Sequence, residues 1–442
     1  MARVHLTSDR LESSSDPARA LAAIVERTMD LDGALAEALP LERRLYALTL
    51  ADGGGSLEQA IGWYEELSVS AASDVFVDFQ LAILRGEAGR LGEVQDAVAD
   101  WDARGDVRLA EVMAAAYLSA PVEPGWPARQ TVERLLDPGW FHDRLALRLA
   151  ARAGDGAWLG DTEAATRARI EPLLRVIRVF AGSELVLIAL GLLAALSLLR
   201  PRSSRVAAAP LPPPWRGRDG LLVLVRGAAG GILVTTALLG LGAWTERGSA
   251  LVEGLSLPLM YVPVLLLASR RLLAPAGIGL VRGFGLRPHP GGWGPLARVT
   301  ALVISGGIGI DIVLGLVTEA ADVPAHWTEW FDEDLAWGSS EVVVASLLGT
   351  IVFAPVLEEI VFRGLLYGTL RRRLGWPAAA VLAAAVFAAA HGYGVAGFGS
   401  VFASGLMWSV AYEKTGSLLP GMAAHAANNV SAACAVLALL RL

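Results

Sequence analysis

The chain has 442 residues, of which 54% are hydrophobic and 18% are charged. This length allows two or three domains, and the balance of residue types is tilted towards a membrane protein. The net charge of -7, with no basic stripe carrying interleaved aromatic residues, gives no support to a nucleic-acid partner. The single cysteine, Cys434, excludes an intramolecular disulfide and a cysteine-rich zinc site.

Residues 1–180 carry charge throughout, and their apolar residues recur at helical spacing, which predicts a soluble helical domain. Segments 55–58 and 89–92 begin alike, with Gly-Ser-Leu-Glu and Gly-Arg-Leu-Gly, and lie 34 residues apart. This is the period of a tetratricopeptide helix–turn–helix unit. The region is therefore either a tetratricopeptide-like domain or an irregular helical one. In both cases we expect this domain to have a docking role, in which it binds a protein partner, or a regulatory role.

Residues 183–442 are dominated by long apolar segments, which predict membrane-spanning helices. The first span, 183–199, precedes a Pro- and Arg-rich linker at 200–219, whose composition suits an exposed, extended connection. A membrane domain follows at 220–442. Its predicted spans are 221–244, 250–268, 297–317, 341–366, 377–391, 395–412 and 418–440. We expect an all-α polytopic bundle of about eight spans, surrounded by lipid in the cell (cytoplasmic) membrane.

Arginine-rich loops predict how the bundle is oriented. One arginine cluster precedes the second span, one surrounds the loop between the third and fourth spans, and Arg371–Arg373 follow the fifth. Alternate crossings place all three clusters in the cytoplasm and predict an inward-facing site beside Arg371–Arg373. The same scheme puts the N-terminal domain outside, whereas Arg175 and Arg178 favour the inside. The sequence leaves the side of this domain open.

Two adjacent acids, Glu358 and Glu359, lie inside the apolar stretch that begins at Ile351. A charge near the middle of a membrane helix costs roughly 2.5–3.5 kcal/mol on insertion scales. Two adjacent acids at this place therefore indicate a structural or functional role. Glu359 precedes Arg363 by four residues, the favourable order for an ion pair on one helix face. Glu358 then points about 100° away around the helix. One carboxylate can therefore be structural and the other chemical, unless both lie at the membrane surface.

Two histidines in later apolar segments have polar or aromatic neighbours at four-residue spacing. Phe387 precedes His391, and His425 precedes Asn429. By itself, the first pair is weak evidence, because a lone histidine at a helix end is usually a satisfied polar residue. The second pair alone fits interhelical hydrogen bonding equally well. Together, Glu358, His391 and His425 could ligate a divalent metal such as zinc, with a bound water as nucleophile. Without metal, Glu358 and His391 could deprotonate the water while His425 and Asn429 stabilise an oxyanion. Both schemes hydrolyse a peptide bond.

The three motifs resemble those of the CPBP family when they are taken in chain order. They are Glu-Glu-x-x-x-Arg at 358–363, Phe-x-x-x-His at 387–391 and His-x-x-x-Asn at 425–429, and the resemblance covers roughly residues 300–442. That family comprises CAAX prenyl proteases of the Ras-converting type and the bacterial bacteriocin-processing or Abi proteins. The resemblance implies an intramembrane endopeptidase acting on a peptide or membrane protein, with a prenylated tail as substrate in the eukaryotic branch.

The resemblance also implies a role for each motif residue. Glu358 would be the water-activating carboxylate and His391 its partner, while His425 and Asn429 would serve the oxyanion. Two further residues would support the motif, Glu359 and Arg363. The family has been described both as a metalloprotease and as a metal-independent glutamate protease, and the sequence does not decide between these descriptions.

Two other functions fit part of the pattern. A non-proteolytic scaffold or immunity protein of the same family would use the N-terminal region to recruit a partner. A transporter would explain charges inside the membrane, because such charges also mark ion pathways. Transporters commonly show an internal repeat between their halves, whereas the polar residues here crowd into the last third of the chain.

Overall fold

The computed structural model describes residues 15–37, 57–70, 74–118, 126–198, 209–242, 249–288, 292–321, 323, 326–329 and 331–441. Within these ranges every regular element is a helix and none is a strand. The predicted all-α class is therefore confirmed. The chain divides into two compact units, Met1–Phe180 with Ala438–Leu442, and Ala181–Leu437.

The first unit is built from short helices joined by tight turns. Helices α2 and α4 begin at Leu57 and Leu91, so their starts reproduce the 34-residue spacing of the sequence, although residues 55 and 56 lie outside the described ranges. Each packs against the helix that follows it. The kinship with tetratricopeptide units stays a prediction. The helices are α1 (Pro17–Glu37), α2 (Leu57–Ser70), α3 (Val75–Glu87), α4 (Leu91–Arg104), α5 (Val107–Tyr117), α6 (Ala128–Leu135), α7 (Trp140–Ala153) and the start of α8 (Gly156–Leu198).

A charged cluster joins three helices of this unit. Arg169 of α8 binds both Asp30 of α1, with an Nε–Oδ2 distance of 2.6 Å, and Asp143 of α7, with an Nη2–Oδ2 distance of 2.7 Å. Glu26 lies one turn before Asp30 on α1. Burial raises the pKa of Glu26 to about 7, and the negative charge of Asp30 adds to the effect. The folded state therefore favours the neutral form of Glu26.

This shift makes the stability of the first unit depend on pH. The contribution of Glu26 is complete below its unfolded pKa of 4.5 and is lost as the pH rises through 7, which amounts to roughly 3 kcal/mol. The substitution Glu26→Gln should remove this dependence, since the amide stays neutral. Hydrogen exchange of the α1 amides in the full chain, corrected for intrinsic rates, measures it between pH 5 and pH 8. The exposed Glu133→Gln is the control, and an equal pH dependence in Glu26→Gln would contradict the assignment.

Seven helical segments are long and apolar enough to cross a membrane, so the protein is a multi-pass integral membrane protein. They are Gly156–Ser197, Gly217–Leu238, Ser256–Ala276, Trp293–Thr318, Ser340–Arg371, Val395–Thr415 and Leu419–Leu440. The predicted span at 377–391 is instead a helix of 14 residues, Trp376–Ala389. At 1.5 Å per residue it covers roughly 21 Å, less than the hydrocarbon core of about 30 Å. The count of eight spans is therefore corrected to seven within the described ranges.

The second unit contains the rest of α8 and all later helices. Helix α9 packs along α10, α17 packs along α18, and α12 packs against α18. The helices are α9 (Gly217–Gly242), α10 (Ser249–Ala268), α11 (Leu280–Gly283), α12 (Trp293–Ala320), α13 (Glu333–Trp337), α14 (Ser340–Leu348), α15 (Ala354–Glu358), α16 (Gly368–Arg371), α17 (Trp376–Ala389), α18 (Val395–Thr415) and α19 (Leu419–Leu440).

Two π-helical segments interrupt the run from Ser340 to Arg371. The first, Gly349–Phe353, separates α14 from α15, and the second, Glu359–Tyr367, separates α15 from α16. Pro355 is the second residue of α15 and has no N–H to donate to the preceding turn, which is a common cause of such irregularity. Wider π turns often occur at functional sites. Here they frame the two adjacent acids of the sequence motif.

The end of the Pro-rich linker is partly packed. Residues 200–208 lie outside the described ranges, but Ala209, Pro213 and Trp215 are buried. The indole Nε1 of Trp215 donates a hydrogen bond of 3.2 Å to the hydroxyl of Thr369, and the ring packs edge-on against Phe284. Pro210, Pro212 and Pro214 are exposed, as the sequence predicts, whereas Trp215 is not, because a large aromatic side chain gains by burial when its N–H finds a partner.

The ends of the run from Ser340 to Arg371 should lie on opposite sides of the membrane. Its 32 residues extend roughly 45 Å, more than the hydrocarbon core. Cysteines placed at the exposed positions Ser340 and Gly375, each in a Cys434→Ser background, should react with an impermeant thiol reagent from opposite sides. Gly375 should be the internal one because Arg371–Arg373 adjoin it. Labelling of both from one side would contradict a crossing.

Candidate active site

A cavity of about 390 Å³ lies beside the helical run that carries the two acids. Four of the six predicted site residues line it, although they come from three separate motifs. Helices α10, α13, α14, α15 and α19 and the segment after α17 all contribute to its wall. The lining residues are Leu257, Asp334, Val342, Ala345, Ser346, Gly349, Thr350, Ala354, Glu358, His391, Tyr393, His425, Asn429 and Ala432.

The other two predicted residues, Glu359 and Arg363, lie behind this wall as a buried ion pair. The Nη1 atom of Arg363 is 2.7 Å from Oε1 of Glu359, and each side chain is only 1% exposed. The guanidinium also lies over the rings of Phe387 and Trp408, at 4.1 and 4.9 Å from their centroids. The predicted pairing on one helix face is confirmed. Its cation–π contacts help to hold a charge that has no water around it.

Two glycines allow neighbouring helices to approach this pair. A Cβ atom on Gly405 of α18 would lie 2.6 Å from Nη2 of Arg363, and one on Gly421 of α19 would lie 2.8 Å from Oε2 of Glu359. Both distances are shorter than any normal contact. Side chains at these positions would push the helices away from the ion pair, so glycine is needed at both.

His425 links the buried pair to the cavity. Its Nδ1 is 3.5 Å from Oε1 of Glu359, and its Nε2 is 3.8 Å from Oε2 of Glu358. The imidazole stacks on the indole of Trp408, with the centroids 4.5 Å apart and the planes at 22°. Both nitrogen–oxygen distances exceed an ordinary hydrogen bond. The ring is therefore held by stacking, with its edge towards the two carboxylates.

His391 follows the C-terminal end of α17 and has one nitrogen engaged. Its Nδ1 lies 2.8 Å from the carbonyl oxygen of Phe387, which can only accept, so Nδ1 carries the proton. In the neutral ring Nε2 then has a free lone pair. Because α17 is too short to cross the membrane, its last residues end within the bundle. A proton acceptor is thus placed at the cavity wall.

Asn429 is oriented by the first π segment. Its Nδ2 donates a hydrogen bond of 2.7 Å to the carbonyl oxygen of Thr350. This leaves the second amide N–H and the amide oxygen available at the cavity wall. The carboxylate of Glu358 is only 14% exposed, and no described residue donates a hydrogen bond to its Oε2. An acceptor and a donor therefore face the same space.

The predicted metal ligands do not form a metal-binding group. Among the residues that the structure describes, no three His, Cys, Asp or Glu side chains are placed to hold one ion. Glu358, His391 and His425 share a cavity, but their side chains do not converge on one point at ligand distance. The arrangement does not fit a three-ligand zinc site, and it assigns no chemical step to a metal.

The cavity is also lined by residues from the N-terminal end of the run from Ser340 to Arg371. Asp334 and Val342 line its far end, before and at the start of the run from Ser340 to Arg371. Nearer to Arg371, the side chains of Leu365 and Tyr367 are at most 1% exposed. The orientation of the site towards the cytoplasm stays a prediction.

Several residues of the site are missed by sequence reasoning. Trp408 and the two glycines lack a spacing that links them to the acids, since they act on other helices. Tyr393 lies two residues after His391, a proximity that was a usable signal. Asp334 belongs to an acidic loop whose sequence is typical of a solvated surface. Only the packing of α13 brings this residue to the cavity.

The ion pair should dominate the stability of the second unit. The substitution Arg363→Met leaves Glu359 charged and unpaired, which should destabilise the unit by roughly 3–5 kcal/mol. Combining it with Glu359→Gln should recover most of the loss, because no buried charge remains. Thermal unfolding of the full chain in detergent micelles measures both. Arg371→Met, which removes a more exposed partner of Glu413, should have a smaller effect. A double variant as unstable as the single one would contradict this account.

Comparison with known families places this site in a recognised domain. Residues 340–431 match the family model described as Rce1-like, type II CAAX prenyl endopeptidase. The searches of curated proteins and of solved structures gave no match. The matched segment contains all three sequence motifs, so the predicted resemblance to the CPBP family is confirmed. The helices around the cavity, from Ser340 to Ser431, form an Rce1-like domain of the type II CAAX prenyl endopeptidase family.

Proposed function

We propose that the protein is an intramembrane endopeptidase that hydrolyses a peptide bond near the membrane surface. One observation carries the proposal. Glu358, His391, His425 and Asn429, which are far apart in the sequence, line a single cavity inside a helical membrane domain. A free carboxylate, a free imidazole nitrogen and an amide donor are the groups that amide hydrolysis needs. The family match of residues 340–431 supports the same reaction class.

Glu358 is the best candidate for the base that activates water. Its carboxylate lies at the cavity wall, and its Oε2 is free of hydrogen-bond donors in the described residues. Water attacks the scissile carbonyl carbon and gives its proton to Glu358. His391 can hold the same water through Nε2, since its Nδ1 is engaged by Phe387. When the C–N bond breaks, the proton passes to the leaving amine.

Asn429 and His425 supply the electrostatic part of the mechanism. The remaining N–H of Asn429 can donate to the oxyanion of the tetrahedral intermediate, and its hydrogen bond to Thr350 orients it in advance. His425 adds a second donor when its Nε2 carries a proton. Glu359 and Arg363 act indirectly, because they hold His425 and do not line the cavity. The two adjacent acids thus have different functions.

The substrate is a peptide or a membrane protein, and the family description makes a prenylated C-terminal tail a candidate. The N-terminal helical domain is proposed to bind a protein partner. A scaffold or immunity function, with no proteolysis, is the competing proposal. A scaffold needs none of the free groups at the cavity wall. A substitution confined to those groups therefore distinguishes the scaffold from the endopeptidase.

The substitution Glu358→Gln should abolish proteolysis while it keeps the fold. Loss of the base should lower the rate by about 10²- to 10⁴-fold. Peptide termini are compared in cells that express the wild type or Glu358→Gln at equal levels, and cleavage is then repeated with purified protein in liposomes. Glu341→Gln is the matched control, since Glu341 is exposed at the start of the same helical run.

The same variants decide between protease and scaffold. Termini that require Glu358 and appear with Glu341→Gln establish the protease. If cells carrying Glu358→Gln keep both the termini and the phenotype of the wild type, the endopeptidase proposal fails. A scaffold would tolerate this change, because the amide preserves the shape of the side chain.

A further inference from the structure

A carboxylate at the far end of the cavity has no role in the mechanism above. Asp334 lines the same cavity as Glu358, His391 and Asn429, but it comes from the short helix α13 in the loop between two spans. Within the described part of the chain, the Asp334 carboxylate forms no ion pair and no side-chain hydrogen bond. The described lining includes no lysine or arginine. The cavity therefore presents two carboxylates and no fixed cation.

Helix α13 holds Asp334 in a defined position. The carboxylate of Asp332 caps the helix by accepting a hydrogen bond of 3.0 Å from the backbone N–H of Leu335, which is itself buried. The ring of Trp337 packs against Phe331, with the centroids 5.4 Å apart. A side chain on such a packed element loses little freedom when it binds a ligand, so its position is preorganised.

The loop around α13 is also tied to the segment that carries His391. The Oε1 of Glu329 accepts a hydrogen bond of 3.0 Å from the backbone N–H of Gly394, three residues after His391. Trp327, two residues before Glu329, is 1% exposed. This loop and the His391 segment therefore form one wall. Asp334 therefore lies in the same cavity wall as His391.

The charge around Asp334 favours a cation. Burial raises the pKa of Asp334, and the negative charges of Asp332 and Glu333 raise it further. A bound ammonium or guanidinium group would relieve this repulsion and would form a charge-assisted hydrogen bond. A free carboxylate in the same place would add a third acid to a cavity that already holds two. The electrostatics thus select basic over acidic substrate groups.

We propose that the cavity binds a lysine or arginine side chain of the substrate at Asp334, so that cleavage occurs near a basic residue. This inference rests on the proposed endopeptidase function and adds the substrate class. It assigns Asp334 as a specificity-determining residue. The basic side chain occupies the outer end of the cavity while the scissile carbonyl lies at Glu358 and Asn429.

The test uses two peptide libraries that differ only by lysine or glutamine at one fixed position. Purified full-length protein in liposomes should cleave the lysine library at least about tenfold faster, since a charged hydrogen bond is worth roughly 1.5–3 kcal/mol. The substitution Asp334→Asn should remove most of this ratio, and Asp334→Lys should favour a glutamate library. Glu333→Gln, on the same short helix but outside the cavity lining, should keep the lysine preference.

The outcomes separate this inference from the proposed function. Cleavage with no preference for lysine, or a preference that survives Asp334→Asn, overturns the inference and leaves the endopeptidase intact. If no peptide is cleaved, the two libraries are labelled with a fluorophore and their binding to the Glu358→Gln protein is measured. This measurement tests the cationic site without cleavage. A lysine preference that Asp334→Asn removes supports the cationic site without proteolysis. Equal binding of both libraries overturns the site.

Discussion

The ion pair between Glu359 and Arg363 is the interaction on which the rest of the membrane domain depends. Both charges are buried, and an isolated charge in such surroundings would cost several kcal/mol. Phe387 and Trp408 cover the guanidinium, and two glycines bring their helices close to the pair. The three later helices of the domain, α17, α18 and α19, are therefore arranged around one salt bridge.

From this pair, polar groups lead step by step to the cavity. His425 contacts Glu359 on one edge and approaches Glu358 on the other, so it links the position of the buried pair to the acid at the cavity wall. Glu358 is available for chemistry because its neighbour, Glu359, forms the structural ion pair with Arg363. In a membrane, where every buried charge needs compensation, this division explains why two adjacent acids occur.

Irregular helices create the space in which chemistry can occur. A membrane helix normally satisfies its own backbone groups, and departures from it need other partners. The first π segment turns the carbonyl of Thr350 to the amide of Asn429, which satisfies the backbone and orients a site residue at once. The short helix α17 ends inside the bundle and leaves His391 at the cavity wall. Both irregularities are parts of the site.

The sequence by itself determined the features that depend on neighbours along one helix. Apolar length predicts the membrane bundle, and four-residue spacing predicts the pair of Glu359 and Arg363, since helix geometry alone brings them together. The tertiary structure decided the rest, because packing between distant segments has no local signature. It shortened α17, buried Trp215 and brought Asp334 to the wall of the cavity that holds Glu358.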